Sequence, residues 1–144
     1  MNDPTPGSDS PPALDDVVAA WDAVWQAVEP DARQRLLERA VTPGVEFVGP
    51  PPAGRLVGAS EIAVFVGGFL KRWPGARVAI TTGIDAHNGW ARYGWTIRGA
   101  GGEVLLEGVD VAEVAPDGRL QRIVMFYGAL PPLDAAAQVA PADG

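Results

Sequence analysis

Residues 77–127 read RVAITTGIDAHNGWARYGWTIRGAGGEVLLEGVDVAEVAPDGRLQRIVMFY, and this stretch decides the fold. It breaks into four runs rich in β-branched and aromatic residues: Arg77 to Ile84, Trp90 to Arg98, Val104 to Val114 and Arg119 to Tyr127. Asn88-Gly89, Gly99 to Gly102 and Pro116-Asp117-Gly118 separate them, and each tolerates positive φ or a tight turn. The spacing predicts an antiparallel meander. Upstream the period changes: Leu14, Val17, Val18, Trp21, Val24, Trp25 and Val28 recur at helical spacing behind Asp15 and Asp16, which favour a helix N-terminus. Pro30 ends that helix. A second starts at Asp31 as N-cap, carries Leu36, Leu37 and Ala40, and stops before a Thr42-Pro43-Gly44 turn. Val45 to Val48 reads as a short strand and Gly49 to Gly58 as a loop. A third helix is capped by Ser60, buries Ile62, Phe65, Val66, Phe69 and Leu70, and closes at Trp73-Pro74-Gly75. Three helices and a meander need one another's apolar faces as cover, so the expected class is two-layer α+β.

The chain has 144 residues, 47% of them hydrophobic, which suits one domain. Residues 1–12 and 134–144 read as disordered tails and 13–133 as the folded unit, because the ends are rich in Pro, Ala, Gly, Ser and Asp. A net charge of −7 makes nucleic acid and anionic membranes poor partners. There is no cysteine, which rules out disulfides and thiolate metal sites, and the lone His87 rules out a histidine-rich metal centre. No cofactor and no metal are expected. The opening MNDPTPGSDSPP carries neither a positive segment nor an apolar one, and a cytoplasmic location is expected. Gly67-Gly68 neither follows a strand nor opens a helix, so it reads as a close-packing position rather than a phosphate loop.

Asp110 stands out by alternation. Val104, Leu106, Gly108, Asp110, Ala112 and Val114 share one strand face, and all but Asp110 are apolar or small. A carboxylate there is desolvated and driven toward its neutral form unless Arg92 or His87 supplies charge or hydrogen bonds. Two readings follow, a buried tie that fixes strand register and a general acid or base. Arg92 lies between Trp90 and Gly94 on one side of its strand, where it could hold an oxyanion or simply pair with Asp110. His87 precedes the Asn88-Gly89 turn at a hairpin end, where it could cap the turn or serve as an acid/base side chain. Trp21 and Trp25, one helical turn apart, Phe47, Trp90, Met125 and Tyr127 form the expected apolar ligand wall. On the opposite face Glu103, Glu107 and Glu113 alternate with Leu105, Val109 and Val111, with Arg98 and Arg122 as partners, a composition suited to a homodimer interface.

The order helix, helix, short strand, helix, long hairpins resembles the cone-shaped nuclear transport factor 2-like superfamily, which includes SnoaL-like polyketide cyclases. The resemblance rests on Val41-Thr42-Pro43-Gly44-Val45-Glu46-Phe47 before Gly49-Pro50, on Gly58 and Ile62, and on Asp117-Gly118-Arg119-Leu120 with Phe126-Tyr127-Gly128. It implies three helices packed on a curved antiparallel sheet that encloses a ligand pocket, and pairing of two copies through the outer sheet face. The chemistry of known branches matches in part. The base of ketosteroid isomerase-like proteins should precede Pro50, where Val48-Gly49 stands instead. The Arg-x-Asp and late Asp of limonene epoxide hydrolase-like proteins fall on Arg92, Gly94 and Met125. The strand-borne Asp and nearby His of SnoaL-like cyclases fall on Asp110 and His87. The resemblance therefore implies either a cofactor-independent cyclase, isomerase or hydrolase acting on a hydrophobic oxygenated substrate, or a module that only binds in the same cone.

Overall fold

The structure is a computed structural model and describes residues 10–133. The tail read at 134–144 lies outside the described residues, as do residues 1–9 of the other; Pro11 and Pro12 are described, exposed and packed beside Gly118.

The first helix, α1 (Leu14–Val24), is shorter than its apolar stripe suggested. Its last turn tightens through Trp25 N to Asp22 O, Gln26 N to Ala23 O and Ala27 N to Val24 O, and Val28 is left exposed. Buried Arg33 explains the stop: its guanidinium group donates to the carbonyls of Ala27 (3.1 Å) and Val28 (3.0 Å), satisfying backbone acceptors the helix has released. The same guanidinium packs on Gly67, where a Cβ would lie 3.0 Å from Nη1, so the glycine serves close packing as expected. Helix α2 (Pro30–Ala40) begins at Pro30, whose fixed φ suits the first turn; Asp31 therefore sits inside the helix instead of capping it.

Strand β1 (Val41–Gly49) follows directly, and the Thr42-Pro43-Gly44 turn becomes an irregularity in its pairing between Val41 and Glu46. The expected loop contains a hairpin partner, β2 (Gly54–Val57). Helix α3 (Ala59–Arg72) is entered through Gly58 at φ 95°, so Gly58 and not Ser60 is the cap residue, while Glu61 reaches back to accept from Val57 N at 2.8 Å. The run expected as one strand splits into β3 (Arg77–Ile80) and β4 (Asp85–His87), because Thr82 Oγ1 takes the ladder bond of Gly94 N at 2.8 Å. Strands β5 (Trp90–Arg98), β6 (Val104–Val114) and β7 (Leu120–Tyr127) form the meander as read. Asn88 (φ 51°) and Gly89 (φ 81°) supply the two positive φ values of the β4–β5 hairpin.

The sheet order is β2-β1-β7-β6-β5-β3, with β4 also on β5. One expectation is corrected here. The sheet is mixed, not wholly antiparallel, since β1 runs parallel to β7, reached through the whole chain between them. The helices cover the concave face, where Val24, Leu37, Phe47, Ile62, Val66, Leu120 and Ile123 are buried. Among the described residues no helix is long and apolar enough to cross a membrane.

Candidate functional site

Between α1, α3 and the concave face lies a cavity of about 330 Å³. Helix α1 contributes Trp21, Asp22 and its C-cap residue Trp25; α3 contributes Phe65 and Phe69; β1 contributes Phe47; the rest of the sheet contributes Tyr93, Trp95, Ile97, Asp110, Met125 and Tyr127. Pro51, Pro52, Trp73 and Tyr127 line it while remaining exposed, and mark its mouth. The wall holds two groups of aromatic rings: Trp21 meets Trp25 edge to face at 5.7 Å and Trp25 meets Phe69 at 5.6 Å and Phe47 at 5.9 Å, while Trp95 meets Tyr127 at 6.2 Å. Gly108 stands opposite Trp95 on the neighbouring strand, and a Cβ there would strike the Trp95 ring and the Phe126 carbonyl. That glycine lets the indole approach β6 closely.

Asp110 sits in this wall, 5% exposed. Its Oδ2 accepts hydrogen bonds from Trp21 Nε1 at 3.2 Å and from the Tyr93 hydroxyl at 3.0 Å. Its Oδ1 is buried without a partner in the protein, and so is Trp95 Nε1. Trp95 makes no direct bond to Asp110 at hydrogen-bond geometry, yet its indole lies close enough to favour the charged carboxyl. Burial raises the Asp110 pKa and outweighs the three donors Trp21, Tyr93 and Trp95 that lower it; with a small upward push from the charge of Asp22, the carboxyl stands at about 6. Asp22, partly exposed, is also raised to about 6, by burial, and its Oδ1 has no partner. Tyr93 is held well above its ordinary pKa by burial and then by Asp110, so it stays a donor. Tyr127 is raised by burial as well. The cavity wall thus holds two carboxyls raised to about 6, each with one unpartnered oxygen, and one unpartnered donor, Trp95 Nε1.

Of the residues singled out from sequence, Asp110, Trp21, Trp25, Phe47, Met125 and Tyr127 come together in the cavity. Arg92, His87 and Trp90 do not. Register explains all three: Tyr93, not Arg92, pairs across from Asp110, so Arg92 projects from the convex face, where it meets Asp85 at 2.8 Å with its side chain 70% exposed. His87 and Trp90 pair with each other at the end of β5 away from the mouth, and His87 contacts only Asn88 Oδ1 at 3.1 Å among its hydrogen-bond partners. Neither Tyr93 nor Asp22 was singled out. Alternation along β5 holds the signal for the first, since Ala91, Tyr93, Trp95 and Ile97 form its apolar face while Trp90, Arg92 and Arg98 carry the polar one.

No family model matches the sequence, and no curated protein matches it. Solved structures do resemble it. A candidate isomerase of the SnoaL-like family from Agrobacterium tumefaciens superposes with a TM-score of 0.72 at 22% identity, over 79% of this chain and 96% of that one. A SnoaL-like protein of unknown function from Burkholderia thailandensis gives 0.61 at 21% identity, over 81% and 94%. A candidate polyketide cyclase from Sinorhizobium meliloti gives 0.60 at 12% identity, over 77% and 94%. Together with three helices packed on one curved mixed sheet, these likenesses show that the chain has the nuclear transport factor 2-like fold.

Proposed function

We propose that this protein is a cofactor-independent enzyme of the SnoaL-like type that moves a proton on a hydrophobic oxygenated substrate, with Asp110 as acid and base. The unpartnered Oδ1 of a buried, pKa-raised Asp110 carries this reading. Trp21 and Tyr93 hold Oδ2, which leaves Oδ1, without a partner in a residue that lines the cavity, as the reacting atom. A ketone oxygen placed on Trp95 Nε1 would bring its α-carbon toward Oδ1. The carboxylate takes the α-proton, the C–H electron pair moves into the enolate, and the indole N–H stabilises the oxygen that gains charge. Returning the proton to another carbon isomerises the substrate. If the enolate carbon instead attacks a second carbonyl, a ring closes and Asp110 protonates the new alkoxide.

The test is α-proton exchange of two-ring ketones such as 2-tetralone in deuterated buffer, followed by NMR. The protein should accelerate exchange, and the rate should climb with pH and level off above about pH 6 as the carboxyl ionises. Alanine at Arg92 or His87 should leave the rate unchanged. No acceleration for any ketone would favour a cone that only binds.

The proposal includes a homodimer through the convex face. Val48, Val111, Val124, Val109 and Phe126 form an apolar field there, with Phe126 58% exposed, bordered by Glu46 and its partners Arg55 and Arg122. Phe126→Asp is expected to turn a dimer into a folded monomer in size-exclusion chromatography with light scattering. A wild type that is monomeric at high concentration would refute the pairing.

A further inference from the structure

The cavity's charge is one-sided, which proton transfer by Asp110 alone does not require. Asp22 and Asp110 both face it, Tyr93 and Tyr127 are its other titratable groups, and no Lys, Arg or His is among the described residues that line it. Two carboxylates in an apolar box are costly to keep ionised unless the occupant supplies positive charge. The walls suit such an occupant. Trp21, Trp25, Trp95 and Phe69 turn π-faces or edges into the space, and at the mouth the Trp73 ring already carries the Arg72 guanidinium group 4.9 Å from its centroid. Asp22 Oδ1, in the wall and without a partner, has no use in the proton transfer assigned to Asp110. Asp110 Oδ1, in a side chain almost wholly buried, is a second unpartnered acceptor in the wall of the same cavity. Size sets the skeleton: a cavity of about 150 Å³ holds a benzene ring, so about 330 Å³ suits two fused rings.

We infer that the ligand is a hydrophobic molecule of about two rings that bears a protonated amine, its ammonium group seated beside Asp22 within the aromatic wall. The inference rests on the reading of this cavity as the substrate site. It makes Asp22 the residue that selects by charge, while Asp110 and Trp95 serve the reacting carbonyl.

Three probes with one skeleton test it by isothermal titration calorimetry at pH 7.5: 2-naphthylmethylamine, 2-naphthalenemethanol and 2-naphthoate. The amine should bind about tenfold tighter than the alcohol or better, and the naphthoate should bind weakest. Asp22→Asn should cancel the amine's advantage and leave the alcohol's affinity within about twofold, since the amide keeps the shape and loses the charge. Wild-type protein at pH 5 provides a check that needs no variant. There Asp22 and Asp110 take up protons while the probe stays charged, so the amine's affinity should drop several-fold and the alcohol's should hold. An alcohol that binds as tightly as the amine, or an amine preference that survives Asp22→Asn and pH 5, overturns the inference and leaves the acid–base reading standing. If none of the three binds, both fall.

Discussion

Asp110→Asn is expected to cut the proton-transfer rate by about 10²–10⁴-fold while the protein melts at the same temperature or higher at pH 7.5. The two halves of this result come from one cause. The carboxyl stands at a pKa of about 6 instead of 3.8 because burial outweighs its three donors. Between those values the native state holds a proton that the unfolded chain has released, so stability falls as pH rises from about 4 to 6 and stays reduced above. The loss is on the order of 3 kcal/mol for a carboxyl so deeply buried. Asparagine does not ionise, and its carbonyl oxygen can still accept from Trp21 and Tyr93. Part of the gain is offset because the amide turns a donor toward Trp95 Nε1, itself a donor without a partner. Asp117 acts in the opposite sense, since Arg119 lowers its pKa and its contribution is lost as pH falls. The wild-type minus variant difference removes that background. Thermal melts of both proteins from pH 4 to 8, beside exchange rates at each pH, read the two halves together. A variant that melts far lower and loses binding as well would make Asp110 a structural tie.

The distinction matters because alternation in the sequence already raised both possibilities. It located Asp110 correctly on a concave face with Gly108 and Ala112, and helical spacing located Trp21 and Trp25 on the cavity wall. What the pattern lacked was the neighbour across the strand. Arg92 was attractive as a charge partner, but one step in register separates the two faces of β5, and the residue opposite Asp110 is Tyr93. A buried carboxyl here is served by neutral donors, which leave its pKa high where a guanidinium would have lowered it. Asp22 is hard to read from the sequence for a related reason. It flanks the apolar stripe of α1, next to Trp21, where a charged residue reads as solvated until the opposing sheet is in place. The parallel pairing of β1 with β7 joins residues more than 70 positions apart, such as Phe47 and Ile123, and no local pattern encodes it.

Trp95→Phe is expected to lower the same rate by about 10²–10³-fold through loss of one donor, and to raise the pH at which the rate levels off. Trp95 Nε1 is buried, unpartnered and in the cavity wall, so the indole N–H is free for a substrate oxygen that gains charge in the transition state. The same N–H favours the ionised Asp110, and removing it shifts that carboxyl further up. The basic form then appears at higher pH, so the rising limb of the profile moves with it. Phenylalanine keeps an aromatic ring opposite Gly108 and beside Tyr127, and the space it leaves is small beside the cavity already there. A purely structural role for the indole would change KM and melting temperature and leave kcat and the limb where they were. A transition-state donor does the reverse: kcat falls with kcat/KM, while ground-state binding of the ketone changes little. Single-turnover exchange across pH, with binding measured separately by calorimetry, separates the two, and a profile that stays in place with kcat unchanged would remove Trp95 from the chemistry.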